Sequence, residues 1–240
     1  MQTAKKYIFP TMVVIVLGAL VFLFYGHKTL APKNTPEAQN ITNKNTSAQT
    51  ASQKPTPTVA PAAPEYNFVG PRGNVPADAP KDYGFWSFAI PVPGILSRSG
   101  QPTIADFTWL KANGWKSDVD LRIDGDHNEV SDDAKIPGFT ALGLNYLKIQ
   151  MLDGAPPTDA QAEQFLAFVT KPENQPAEVH CRGGIGRAGI MVALYRYAVQ
   201  GWPIDKIMGE SKLYQGGIDA GQQNWLNNYA KTHAPGSYGE

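Results

Sequence analysis

Apolar and polar positions divide the chain into three stretches of different character. From Tyr7 to Tyr25 the residues are apolar apart from Thr11, with Pro10 and Gly18 as the only weak helix formers, a run that just spans a bilayer. From Ala31 to about Pro64 the chain is built of Thr, Ala, Pro, Gln, Asn and Ser with almost no aliphatic residues, so it cannot offset the entropy of ordering. Aromatic and aliphatic residues return at Tyr66 and stay dense to the end. The pattern predicts a membrane anchor over 1–30, a disordered stalk over 31–65 and a folded domain over 66–240.

Within that domain the periodicity alternates between strand and helix. Phe85 to Ile90 reads as a strand, closed by a Pro91-Val92-Pro93-Gly94 turn, with Ile95 to Ser99 returning as its partner. Thr103 is placed to cap a helix carrying Ile104, Phe107, Trp109 and Leu110, which ends at Asn113-Gly114. Ser117 to Arg122, Asn145 to Gln150 and Ala177 to His180 read as short strands. Asp159 to Thr170 reads as an amphipathic helix with Ala162, Phe165, Leu166 and Val169 on one face. Further helices are predicted from about Arg187 to Gln200 and from Gln222 to Lys231. Strands alternating with helices imply an α/β fold: a central, mostly parallel sheet flanked by helices.

Charge and composition narrow the function. The formal net charge of the 240 residues is zero, with about +4 on residues 1–65 and −4 on the rest, and no Lys/Arg run stands out, which argues against nucleic acid as a partner. The single cysteine, Cys181, excludes an intrachain disulfide and multi-cysteine zinc. Lys5 and Lys6 ahead of the apolar run favour a cytoplasmic amino terminus and a domain outside the cytoplasm, against His27, Lys28 and Lys33 on the other side. A cleaved signal is the competing reading, but the run exceeds a usual signal core and no small-x-small site follows it closely. Asn40-Ile41-Thr42 and Asn45-Thr46-Ser47 match the glycosylation sequon, a pattern common in such linkers. The acidic stretch Asp124-Gly125-Asp126 with Glu129, Asp132 and Asp133 leaves other calcium-loop positions unfilled and is expected to be a solvated loop.

The chemistry gathers at Val179-His180-Cys181-Arg182-Gly183-Gly184-Ile185-Gly186-Arg187-Ala188-Gly189, which follows a strand and opens a helix. Backbone N–H groups in such a Gly-rich turn converge as a nest, and the helix amino terminus adds its positive end, so a phosphate held by Arg182, Gly183, Gly184, Ile185, Gly186 and Arg187 is the natural guest. Arg187, six residues after Cys181, has a planar fork suited to two phosphate oxygens. The same field favours a thiolate nucleophile at neutral pH.

These residues resemble the Cys-x5-Arg protein tyrosine and dual-specificity phosphatases, whose His-Cys-x-x-Gly-x-x-Arg signature is matched by His180, Cys181, Gly184 and Arg187. The resemblance extends over roughly residues 85–230. It includes Leu96-Ser97-Arg98-Ser99-Gly100-Gln101-Pro102 and Val119-Asp120-Leu121-Arg122, which look like segments of bacterial dual-specificity-like members. It implies a phosphocysteine intermediate on Cys181 without metal or cofactor, and a general acid on a separate loop. Asp153, in Asp153-Gly154-Ala155-Pro156-Pro157, is the candidate acid; Asp159 is second choice and better suited to the first turn of the next helix. His180 is implied to steady the loop, and Gln222 or Gln223, the latter preferred from its spacing to Leu226, to orient the hydrolytic water. Ala188 departs from the family, which places Ser or Thr there to ease thiolate departure. The substrate would be a phosphorylated protein or small phosphomonoester, with phosphotyrosine favoured over polyphosphates because Arg182 and Arg187 are the loop's only cations. A phosphate-binding module and a rhodanese-like sulfurtransferase are the alternatives. Tyr83, Phe85, Trp86 and Phe88 either line a substrate slot or fill a hairpin core.

Overall fold

The computed structural model describes residues 66–82, 84–125 and 133–239. The apolar run Tyr7–Tyr25, the stalk through Glu65, Tyr83 and residues 126–132 lie outside them. Among the described residues, no helix is long and apolar enough to cross a membrane.

A five-stranded sheet of order β1-β2-β5-β3-β4 forms the centre, from β1 (Ala89–Val92), β2 (Leu96–Ser99), β3 (Ser117–Asp120), β4 (Asn145–Lys148) and β5 (Ala177–His180). β1 pairs antiparallel with β2, and every other pairing is parallel, as the alternation of elements predicts. α3 (Gly186–Ala198) lies across β2 and β5 and touches α2 (Asp159–Val169), α4 (Ile204–Ser211) and α5 (Ala220–Tyr229). From Arg187 to Ala198 α3 is buried all round, as befits a helix enclosed by sheet and helices. The other face of the sheet is closed by α1 (Ile104–Ala112) with Phe85, Phe88, Trp115 and Phe139.

The helix starts follow local chemistry. Thr103 caps α1, Thr158 caps α2 and Asp219 caps α5, each in a reciprocal capping box with Asp106, Gln161 and Gln222 respectively. Asp159 therefore stands in the first turn of α2, where its charge complements the helix dipole.

The expected strand over Phe85–Ile90 is displaced. Phe85–Ser87 forms a 3-10 turn, closed by Phe88 N–H donating to the Phe85 carbonyl at 2.9 Å, and β1 starts at Ala89. Phe85 and Phe88 stack in one cluster, centroids 4.2 Å apart, and that three-residue spacing needs a helical turn rather than a strand. Pro91 belongs to β1 and not to the turn, which β1 tolerates as an edge strand. Helix α4, preceded by Pro203 and bearing Gly209, was not anticipated from the pattern.

The face of the sheet beneath α1 is unusual for a buried parallel sheet, whose strands are ordinarily apolar on both sides. Strand register aligns Ser97, Glu178 and Asp118, and two residues on Ser99, His180 and Asp120, so six polar residues share that face. All six are buried.

Candidate active site

Strand β5 delivers Cys181 to the carboxyl end of the parallel strands, and the four residues that follow turn into α3. Cys181 is 3 % exposed, and the Gly184 N–H points at its sulfur, 3.3 Å away. Gly184 takes φ +73°, and a Cβ there would collide with the backbone of Ser99 and Gly100, so glycine is required for both conformation and space.

The loop's carbonyls are turned outward by donors from the neighbouring strand β2 and the segment after it. Arg98, 2 % exposed, donates from Nε to the Gly184 carbonyl at 3.0 Å and from Nη2 to the Ile185 carbonyl at 2.8 Å, and stacks on Tyr214 with its guanidinium carbon 4.3 Å from the ring centroid. The Gln101 N–H donates to the Arg182 carbonyl at 3.0 Å. With the carbonyls so engaged, the loop's N–H groups are left available for an anion, and that of Gly184 points at the Cys181 sulfur. Arg98 and Gln101 belong to the segment that carried the weaker resemblance, but nothing in the sequence assigned them this task.

Arg187 is 1 % exposed, held by Nη1 donating to the Met151 carbonyl at 3.1 Å. Its Nη2 lies 3.2 Å from Oδ1 of Asp153, a carboxylate 55 % exposed. Asp153, Cys181, Arg182 and Ile185 border a cavity of about 280 Å³, together with Trp86. Among the described members of the aromatic cluster, then, Trp86 borders the site, while Phe85 and Phe88 are core.

The two candidate glutamines separate. Gln222 is fully buried, donates from Nε2 to the Ala155 carbonyl at 3.3 Å, and lies beside Gly186, so it touches both the Asp153 loop and the phosphate loop. Gln223, preferred from spacing, instead donates to the Ile218 carbonyl at 2.9 Å, within the approach to its own helix. The capping box explains the difference, because Gln222 occupies its third position and turns inward. Ala188 is fully buried in α3.

Beneath the loop lies a charged cluster that the sequence presented as part of a solvated stretch. Asp133 is fully buried; it hydrogen bonds to Nε2 of His180 and accepts from Arg122 Nη2 at 3.0 Å and Gln101 Nε2 at 2.8 Å. Arg122 also grips Asp120 with two contacts of 3.1 Å, and Lys148 reaches Asp120 at 2.7 Å. Of the other acidic residues there, Asp124 is partly exposed and pairs with Lys135 and Lys148. Burial opposes a charge on His180, but Asp133, Asp118 and Asp120 outweigh it and hold its pKa well above the usual histidine value. Burial alone would raise Asp133, yet His180 and Arg122 keep it well below the carboxylate range. Asp118, by burial and by the neighbouring Asp133, is pushed well above that range.

Asp118, Asp133 and His180 are the one set of ligand-type groups close enough to share an ion among the described residues. Within it His180 and Asp133 hydrogen bond to each other, and the Asp133 carboxylate also accepts from Arg122 and Gln101, the partners of an ion-pair network rather than of a metal shell. Glu178, on the same face, hydrogen bonds to Ser97, whose hydroxyl in turn accepts from Trp115 Nε1 at 2.7 Å, and burial raises its pKa to about 7.

Comparison with known proteins returns phosphatases. The family model described as a DSP-PTPase phosphatase fused to NAD+ kinase matches residues 94–228. The chain is 37% identical over 92 residues to protein tyrosine phosphatase PRL-1 of Trypanosoma cruzi, covering 36% of this chain and 52% of the relative. It is 31% identical over 114 residues to dual specificity protein phosphatase CDC14A of Mus musculus, covering 46% of this chain and 17% of that protein. It thus spans about half the length of the first relative and under a fifth of the second. The crystal structure of PTPMT1 in complex with PI(5)P superposes with a TM-score of 0.51 at 18% identity, over 57% of this chain and 91% of that one, a likeness of fold. The chain belongs to the dual-specificity and protein tyrosine phosphatase family.

Proposed function

We propose that the protein is a cysteine-dependent phosphomonoester hydrolase of the protein tyrosine and dual-specificity type. The observation that carries this reading is the meeting of Cys181 and Asp153 at one cavity walled by the Gly-rich loop, with the Arg187 guanidinium 3.2 Å from the Asp153 carboxylate. In the first step the Cys181 thiolate attacks phosphorus in line, the P–O ester bond breaks, and Asp153 passes its proton to the leaving oxygen. In the second, water attacks the phosphocysteine, Asp153 takes its proton, and thiolate and inorganic phosphate are regenerated. The loop N–H groups and Arg187 stabilise the charge on the transferring phosphoryl group. The place of Gln222 between the two loops supports it, rather than Gln223, as the residue that orients the water. With Ala188 in place of a hydroxyl, departure of the thiolate rests on the remaining loop donors, and hydrolysis of the phosphoenzyme is expected to limit turnover.

Asp153 beside Arg187 favours phosphoryl over sulfur transfer, since a sulfurtransferase has no leaving oxygen to protonate. The preferred substrates are a phosphotyrosyl protein or another monoester with one phosphate. An exposed Trp86 at the cavity wall supports an aromatic leaving group. The apolar run Tyr7–Tyr25 would tether the domain to a membrane, on the extracytoplasmic side if the Lys5-Lys6 pair sets its orientation.

The test is phosphate release from a chromogenic aryl phosphate without added metal, by the wild type, Cys181→Ser and Asp153→Asn. Turnover by the wild type, none by Cys181→Ser and a loss of about 10²-fold or more in Asp153→Asn are expected. Phosphate binding with release no faster than in Cys181→Ser would leave only a binding module.

A further inference from the structure

We propose that Asp133 is a positioning residue for the phosphate loop: it holds His180 as a buried imidazolium and anchors Gln101, keeping the carbonyls of Cys181 and Arg182 turned away from the phosphate. The inference rests on the reading that this loop binds phosphate.

Hydrogen-bond valence carries the argument. Nε2 of His180 faces the Asp133 carboxylate, and Nδ1 faces the Cys181 carbonyl at 3.4 Å. The carbonyl only accepts, and Asp133, paired with the Arg122 guanidinium at 3.0 Å, acts as an ionised carboxylate that only accepts as well; both ring nitrogens therefore carry a proton, which a neutral imidazole cannot supply. The other oxygen of Asp133 accepts from the Gln101 side chain at 2.8 Å, and the Gln101 backbone N–H holds the Arg182 carbonyl at 3.0 Å. One carboxylate thus reaches two successive loop carbonyls by two routes. Arg98 does the same for Gly184 and Ile185, so the loop is fixed from both halves.

The charges around His180 come from every side. From β3, Asp118 lies 3.6 Å and Asp120 4.0 Å from Nε2. Arg122 engages Asp120 and Asp133, Lys148 of β4 engages Asp120, and Glu178 precedes His180 by two residues on β5. From α1 the ring of Phe107 packs edge-on, its centroid 6.2 Å from that of the imidazole. Asp120 is thereby occupied by two cations, and Asp118 is pushed toward its neutral form, which leaves Asp133 as the counter-ion of His180. Asp133 immediately follows residues 126–132 in the chain, and only the folded structure brings it under the nucleophile.

The decisive measurement is the ¹⁵N spectrum of the His180 ring in the wild-type full chain between pH 6 and pH 8. Two protonated nitrogens throughout are expected; a ring that loses its second proton anywhere in that range overturns the inference. The companion is Asp133→Asn, which keeps the size and an acceptor but removes the charge. In it His180 should titrate within that range. kcat/KM for an aryl phosphate and affinity for inorganic phosphate should fall about tenfold at pH 8 and less at pH 6, where the ring regains its proton. A variant whose pH profile and phosphate affinity match the wild type refutes the positioning role even if the spectrum is as expected. Should the wild type release no phosphate at all, the proposed activity fails, while the spectrum and inorganic phosphate binding still decide this point.

Discussion

Glu178 sits at the middle of β5 with no exposed surface, and its Oε1 has no hydrogen-bond partner. Burial raises its pKa from 4.5 to about 7, the largest cause being loss of water, only partly opposed by the hydrogen bond from Ser97. The folded state therefore holds this proton more tightly than the unfolded chain does. The associated stability is present in full below pH 4.5 and is lost as pH rises through 7. At about 1.4 kcal/mol per pH unit, the whole loss is about 3 kcal/mol, of which roughly 2 to 3 kcal/mol falls between pH 5 and pH 8. Glu178→Gln mimics the protonated acid in shape and cannot ionise. Its stability relative to the wild type should accordingly rise by about 2 to 3 kcal/mol from pH 5 to pH 8, against a total of about 10 kcal/mol for a domain of this size. Urea unfolding followed by tryptophan fluorescence at the two pH values reads this directly. A difference between variant and wild type that is the same at both, within about 1 kcal/mol, would show that Glu178 ionises no differently in the folded protein, and the reasoning from burial would be wrong.

Other perturbations act on the loop itself. Arg98→Met leaves two loop carbonyls without donors in a buried setting; a destabilisation of about 3 kcal/mol and a fall in kcat/KM larger than in kcat of unfolding-corrected enzyme are expected from denaturation and steady-state kinetics. Gly184→Ala forces a Cβ into the backbone of Ser99 and Gly100 at a positive φ, and should lower phosphatase activity by at least about 10²-fold, since misplacement of reacting groups is so costly. Gln222→Ala should slow release of phosphate from the phosphoenzyme about tenfold or more, visible as a larger burst in rapid-quench experiments, whereas Gln223→Ala should leave the burst unchanged. Arg196→Met breaks the buried pair with Glu210, at 2.5 and 3.0 Å, and the bond to the Pro91 carbonyl; a loss of about 3 to 5 kcal/mol in urea unfolding is expected.

Much of the architecture was legible in the chain because it depends on local rules. The bounds of β5 and the start of α1 follow from a short alternating stretch and a capping threonine, and the Cys181–Arg187 spacing with its glycines on a strand-loop-helix junction points to an anion site. Helix α4 carries Ile204, Ile207 and Met208 at helical spacing, but eight residues that include a glycine are too short a run for that spacing alone to mark a helix. Phe85 and Phe88 misled for the opposite reason: alternation of apolar residues over a short run fits a strand and a turn equally, and only shared burial in one cluster distinguishes them.

The sequence by itself determined the class of chemistry: one cysteine, one arginine at the loop's end and the glycines between them. It supplied Asp153 as the acid candidate as well, through the resemblance of Asp153-Gly154-Ala155-Pro156-Pro157, just after a strand, to the acid loop of the phosphatase family. The tertiary structure alone decided what surrounds them. Asp118-Val119-Asp120 alternates as a half-exposed strand does, and nothing local reveals that α1 rather than water covers its polar side. The same holds for Asp133 beneath His180, Arg98 behind Gly184 and Gln222 in place of Gln223, each a partnership between residues distant in the chain. Such contacts are set by the packing of sheet against helices, and burial then turns ordinary surface residue types into fixed charges and hydrogen-bond anchors.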